Sequence, residues 1–243
     1  LLLVGIAFAM LGVLALLLRA QSGDESSVTG DERSNGIPYI LRFIHDPSSR
    51  AALANRRADR CPGAPFQLPS DGLIGLLWAD PAAPYSAQKP HPGLDLFGDG
   101  EPGTVPVYSV YGGYLTRLDV WRSSVILRHD DPLQPGRTIW TYYTHMASRD
   151  GETSFIAPDF PAGTTNVWVP AGTLLGYQGV YSGAAPPIGM HVHVSVVLGD
   201  DAGSFRNEAE LANTVDPSPY FGLPLIAAEL PDRPIACREG RPK

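Results

Sequence analysis

The chain has 243 residues, and its 18 lysines and arginines against 25 aspartates and glutamates give a formal net charge of −7. That balance excludes a nucleic-acid binder, because affinity for a phosphate backbone comes mostly from clustered Lys and Arg. Its 26 glycines and 24 prolines stay below the share that marks low-complexity disorder, and a 44% apolar content can build a real core, so the chain reads as globular, loop-rich and β-rich.

Leu1 to Leu18 (LLLVGIAFAMLGVLALLL) has no charged or polar side chain and no proline, and at 1.5 Å per residue it nearly crosses a bilayer core of about 30 Å. Residues 1–20 are therefore expected to be a transmembrane anchor. A cleaved signal is the alternative, disfavoured because the apolar run is long for a signal core and Leu18-Arg19-Ala20 is a poor cleavage site. Residues 21–60 are expected to be linker or stalk. Their first part, QSGDESSVTGDERSN, has almost nothing to bury. Further on, Arg50, Arg56, Arg57 and Arg60 form the basic cluster of the chain. Contact with a membrane surface or a polyanion is one reading of it, and a solvated helix face the commoner one.

Residues 61–240 are expected to form one domain. Short apolar runs separated by Gly, Pro and Asp predict strands at 123–129, 137–146, 165–172, 173–183 and 190–198. Gly112-Gly113 between two β-prone runs predicts a hairpin or a bulged strand pair. No strand alternates with a long amphipathic helix, so an antiparallel all-β domain is preferred over a parallel α/β sheet. One short helix is expected over 207–212 (NEAELA), with Asn207 as its cap and Glu210 completing a capping box. Cys61 and Cys237 sit at the rims of this region. In an exported domain they are disulfide candidates; two buried thiols or a zinc pair are the alternatives.

The histidines carry the functional signal. In MHVHVSVVL alternate residues share a face, so His191, His193, Ser195 and Val197 point one way while Met190, Val192, Val194, Val196 and Leu198 form an apolar core face. Two imidazoles side by side can address one metal or one substrate, although such a pair alone is a weak signal. His91 and Asp95 stand in KPHPGLDLFG, where Pro90, Pro92 and Gly93 exclude a regular helix and leave an irregular loop entering a strand. Two imidazoles, a carboxylate and one position left for water are what catalytic zinc requires. His145 is expected on the Thr141, Tyr143, His145 face of its strand, and His129 at a strand rim. Without a His-Glu-x-x-His motif, proton handling falls to a histidine rather than a helix Glu.

Placed in order, these segments resemble the LytM/lysostaphin-type zinc metallopeptidases, which cut peptide bonds in bacterial peptidoglycan. HPGLDLFG corresponds to the His-x-x-x-Asp metal motif, TVPVYSVYGGYL to the following strand with Val105 as an extra residue, VILRHDDPLQPGRTIWTYYTHM to a strand pair ending in Tyr-x-His, and VPAGTLLGYQGVYSG with GMHVHVSV to the approach and the closing His-x-His. The resemblance covers roughly residues 61–200. It implies a mostly β fold, an antiparallel β-sheet or sandwich metallopeptidase domain with an open groove, following the N-terminal transmembrane helix. It implies Zn2+ held by His91, Asp95 and His193, with His145 and His191 as the unliganded catalytic pair. The implied activity is a zinc metalloendopeptidase acting on peptidoglycan stem peptides or cross-bridges, at the outer side of a bacterial cell membrane, or secreted if the first segment is cleaved. A non-catalytic domain of the same type, binding the wall or regulating other wall hydrolases, is the alternative. Two departures stand out: Ser195, where many members have Glu, and an insertion over roughly 147–166.

Overall fold

Alternation of large apolar and polar residues turns the middle of the chain into antiparallel strands with one dry face. The computed structural model describes residue 34, residues 36–183 and residues 188–238. Seven strands form one sheet in the order β1-β2-β9-β6-β5-β4-β7: β1 (Leu73–Ile74), β2 (Leu94–Phe97), β4 (Gly113–Thr116), β5 (Val125–Asp130), β6 (Thr138–Thr144), β7 (Val167–Val169) and β9 (Val192–Leu198). A second, two-stranded sheet pairs β3 (Pro106–Tyr108) with β8 (Leu174–Tyr177). Every strand pair is antiparallel.

One face of the large sheet is core. Leu115, Leu127, Ile139, Tyr143, Val192, Val194 and Val196 are buried there in one cluster, joined by Val107 and Leu175 from the small sheet and by Phe66, Tyr220 and Leu225 from the flanking segments. The opposite face carries the polar chemistry. Register places Asp95 opposite His193 and His193 opposite Thr144, so β2, β9 and β6 line these three residues up in one cross-strand row. The neighbouring row runs Ser195, Tyr142, Ile126.

The residues read as the end of a stalk are packed into the domain. Helix α1 (Gly36–His45), a 3-10 turn (Pro47–Ser49) and α2 (Arg50–Leu53) belong to the same compact unit as the sheet. Ile40, Phe43 and Leu53 bury against Leu73, Leu76 and Phe97 in a second apolar cluster. The physical reason is spacing: Ile37, Ile40 and Phe43 recur at helical intervals, giving a face that must find cover. The arginines that follow serve the fold. Arg50 pairs with Asp99 at 2.6 Å, Arg57 stacks over Tyr108 at 4.0 Å, and Arg60 donates to the Ala64 carbonyl.

Three other expectations change. Gly112-Gly113 does not join a hairpin, because β3 pairs with β8 and β4 pairs with β5 and β7, so the chain passes from one sheet to the other between them. NEAELA forms no α-helix; Asn207 caps a turn through Ala209, and a 3-10 turn follows at Leu211–Asn213. His129 is buried rather than at a rim, bonded to the Gly112 carbonyl and to Thr141 at 2.8 Å each. The remaining described helices are α3 (Ser218–Phe221) and a 3-10 turn at Ala227–Glu229.

Cys61 and Cys237 form a disulfide across 176 positions of sequence. In the chain-entropy model a loop of that length contributes about 5 kcal/mol. The expected membrane segment, residues 1–20, and residues 21–33 lie outside the described residues. Among the described residues no helix is long and apolar enough to cross a membrane.

Candidate metal centre

Three segments converge on one point of the polar face. His91 ends an irregular loop whose backbone is tied to the stretch before it, His91 N–H donating to the Asp80 carbonyl and Ala79 N–H to the His91 carbonyl. Two residues on, Gly93 lies directly against β9. A Cβ there would come within 2.4 Å of the Val194 carbonyl and 2.6 Å of Ser195 Oγ, so only glycine lets the loop approach closely enough to aim His91 at the sheet. Asp95 follows on β2, and His193 faces it from β9.

The donor atoms form a tight triangle. His91 Nε2 lies 3.1 Å from Asp95 Oδ1 and 2.9 Å from His193 Nδ1, and His193 Nδ1 lies 2.9 Å from Asp95 Oδ1. All three residues are buried. The outward nitrogen of each ring is committed elsewhere: His91 Nδ1–H donates to the Leu77 carbonyl at 2.9 Å, and His193 Nε2 meets Ser195 Oγ at 2.7 Å. That leaves a lone pair on each inner nitrogen beside a carboxylate oxygen. Three acceptors this close repel one another unless positive charge sits among them.

The titration directions tell the same story. Burial pushes His91 down, but the charge and hydrogen bond of Asp95, the Leu77 carbonyl and Asp80 together outweigh it and the net shift is upward. Burial pushes Asp95 up, yet His91, His191 and the bond from His193 hold its carboxyl well below the usual range. Burial lowers His193. The cluster is thus built to attract a cation, and its donor set, two imidazole nitrogens and a carboxylate oxygen, suits a divalent metal with an open position. A tetrahedral ion with bonds of about 2.0–2.2 Å spaces its ligand atoms by roughly 3.4 Å, close to the separations found.

His145 and His191 stand beside this triangle. Their rings are 4.6 Å apart, and His191 Nε2 lies 3.6 Å from Asp95 Oδ1. Each Nδ1–H is held by a backbone carbonyl, Tyr181 for His145 at 2.7 Å and Gly189 for His191 at 2.8 Å. Both Nε2 atoms therefore present a lone pair to the site. Burial first, then His191 and His193, push His145 down to about 3.

His145 reaches the site by a different route from the one expected. Strand β6 ends at Thr144, and His145 takes a left-handed φ of 75°. Tyr143 is fully buried on the core face, its hydroxyl accepting from the Val110 N–H, whereas His145 turns to the opposite side. A non-glycine residue held at such a φ costs on the order of 1 kcal/mol or more, and such strain concentrates at functional sites.

The centre opens into a cavity of about 240 Å³, lined by Tyr85, Lys89, Tyr142, Thr144, His145, His193 and Glu208 among others. Tyr142 lies on its floor. Trp121 packs edge-on against Tyr142 at 6.0 Å and Phe205 approaches the same ring at 6.2 Å, each from a different loop. Tyr85 lies against His91 with ring centroids 4.7 Å apart, and burial pushes its hydroxyl up. Sequence reasoning did not single out Tyr85, Lys89 or Glu208, which sit on turns without a motif of their own. The five residues it did single out, His91, Asp95, His145, His191 and His193, all meet here.

No protein-family model matches the chain, and no curated protein does. Among solved structures the chain is similar to the antimicrobial peptidase lysostaphin from Staphylococcus simulans, at 21% identity over 54% of this chain, with a TM-score of 0.35. That match spans 43% of the lysostaphin chain, less than half its length. It is also similar to an M23 peptidase from Pseudomonas aeruginosa, at 21% identity over 78% of this chain and 63% of that one, with a TM-score of 0.34. A third is the catalytic domain of a prophage-encoded M23 protein from Enterococcus faecalis, at 20% identity over 61% of this chain and 93% of that one, with a TM-score of 0.34.

Proposed function

We propose that the chain is a metal-dependent hydrolase of the LytM/lysostaphin type. More particularly, it is a zinc endopeptidase that cuts peptide bonds in bacterial peptidoglycan. The observation that carries this reading is the junction of two constellations: three buried donors converging on one point, and two imidazole acceptors beside them whose other nitrogens are locked by backbone carbonyls. The ordered motifs of the sequence name the family, and the open cavity over the centre suits an extended peptide rather than an enclosed small molecule.

His91 Nε2, Asp95 Oδ1 and His193 Nδ1 would hold the ion, with Ser195 and the Leu77 carbonyl fixing the two rings. Bound zinc would supply an acidified water and a polarised carbonyl. His145, held neutral, accepts a hydrogen bond from the attacking water and orients it. His191, whose Nε2 lies 3.6 Å from Asp95 Oδ1 at the edge of the centre, is the proton carrier in this reading. As oxygen attacks the amide carbon, the water's proton passes to His191 Nε2. The imidazolium then returns it to the leaving nitrogen as the C–N bond breaks.

The Cys61–Cys237 disulfide supports an oxidising, extracytoplasmic setting, where peptidoglycan peptides would be the partners. An anchor in residues 1–20 would hold the domain at the membrane. Incubating the zinc-loaded chain with intact peptidoglycan tests the reading. Release of soluble peptides that stops with a chelator, returns with zinc and is absent in His145→Ala is the expected result. A zinc-loaded chain that binds the wall and releases nothing would instead establish the non-catalytic role.

A further inference from the structure

We propose that Lys89 is a specificity-determining residue that reads a carboxylate on the substrate at the junction of two cavities. This deepens, and rests on, the reading of the site as a peptide-cutting centre. The cavity over the metal centre does not end at its rim. A larger one, of about 610 Å³, adjoins it and shares two of its lining residues, Lys89 and Ala209. The larger cavity lies away from the histidines, between the 87–90 turn and the 209–214 segment, with Trp78 at its back. It is a place for the part of a substrate remote from the bond that breaks.

The charges along this path are ordered. Glu208 lines the inner cavity, Lys89 the junction and Glu210 the outer cavity. Among the described residues lining the two, Lys89 is the sole ammonium or guanidinium. A substrate carboxylate in either cavity meets an acid, and the chain as a whole repels anions with its charge of −7. At the junction it meets the one ammonium that lines the path. A cationic side chain there, with a carboxylate lining the cavity on either side, helps set the register of the peptide as well as its affinity.

The backbone holds Lys89 where this requires. Ser86 and Lys89 exchange two backbone hydrogen bonds of 3.1 Å, closing a tight turn, and the Ser86 hydroxyl also accepts from Lys89 N–H. Two residues further on, His91 is fixed to Asp80. The Lys89 backbone is thus pinned two residues before His91, while its long side chain is exposed and can swing its ammonium over the junction. The matching chemistry is a peptide with a free carboxylate on a residue near the cut bond. A γ-linked glutamyl residue in a wall stem peptide has one beside its main chain.

The test uses two synthetic cross-linked stem-peptide dimers, C-terminally amidated and identical except that the glutamyl α-carboxylate is free in one and a carboxamide in the other. Dissociation constants are measured by calorimetry with the full chain, both metal-free and zinc-loaded, and cleavage is followed separately. The wild-type chain is expected to prefer the carboxylate by about fivefold, the scale of a partly exposed ion pair. Lys89→Arg keeps that preference, Lys89→Gln abolishes it and Lys89→Glu reverses it. An unchanged binding ratio in Lys89→Gln overturns the proposal whether or not peptides are cut. A Lys89-dependent ratio without cleavage upholds the proposal and sinks the peptidase reading instead.

Discussion

Ser195 Oγ lies 2.7 Å from Nε2 of His193, so the strand that supplies a metal donor also supplies, one pleat further along, the group that orients it. With Nδ1 turned to the donor cluster, Nε2 carries the proton and Ser195 accepts it. This hydroxyl stands where many proteins of the resembled family have a carboxylate. A neutral acceptor fixes the ring but adds less basicity to the ligand than a charged one would.

Replacing Ser195 with Ala is expected to weaken zinc binding by about tenfold, the low end for loss of an outer partner. Competition with a chromophoric chelator measures it. Unaltered affinity in a folded variant would mean that packing alone positions the ring.

His145→Ala and His191→Ala are expected to lower kcat by about 10² to 10⁴, the range for loss of a positioned acid or base. Both should retain zinc, since neither residue belongs to the donor triangle. The measurement is paired: metal content by elemental analysis and turnover on the same preparation. Loss of metal in either variant would move that histidine into the ligand set.

Chelation is expected to destabilise the fold as well as stop turnover. An ion bound to the native chain at a hundredfold excess over its Kd contributes about 2.7 kcal/mol. For a domain of this size that corresponds to a fall in Tm of about 5–10 °C on adding a chelator. Asp95→Asn removes the anionic donor, so its Tm should respond far less.

His129 should make stability depend on pH. Burial pushes it down to about 4 from an ordinary 6.5, so the native state keeps it neutral while the unfolded chain takes up a proton. Its contribution is complete above pH 6.5 and is lost at about 1.4 kcal/mol per unit as pH falls toward 4. Denaturant titrations of wild type and His129→Gln across that window should show a difference that narrows as pH falls. A difference constant with pH would place the charge change on other groups.

The legible parts of this molecule are those whose signal is local. Val192, Val194 and Val196 alternate with His191, His193 and Ser195, and the pleat alone sends the two sets to opposite faces. His91 and Asp95 were readable as a pair because Pro90, Pro92 and Gly93 forbid a helix between them. What escaped depends on partners distant in sequence. Gly112-Gly113 has the composition of a hairpin, but β3 finds β8 rather than β4. His145 belongs by alternation with Tyr143, and a single left-handed φ sends it the other way. The residues of α1 carried a usable sign, Ile37, Ile40 and Phe43 at helical spacing, which the polar stretch before them obscured. Glu208 and Lys89 could not be found at all without the fold, since only the closing of two turns over the sheet brings them to the cavity.

The Cys61–Cys237 bond joins the two edges of the β-rich region, so every strand and every histidine of the site lies inside one covalent ring. A protease that nicks an exposed loop within that ring, such as the turn at Gly136, releases no fragment. The cut chain stays one molecule, heavier by a single water, and its strands keep their pairing. Damage of that kind would be invisible on a gel until thiol is added, and the domain would survive a first cut with its centre assembled.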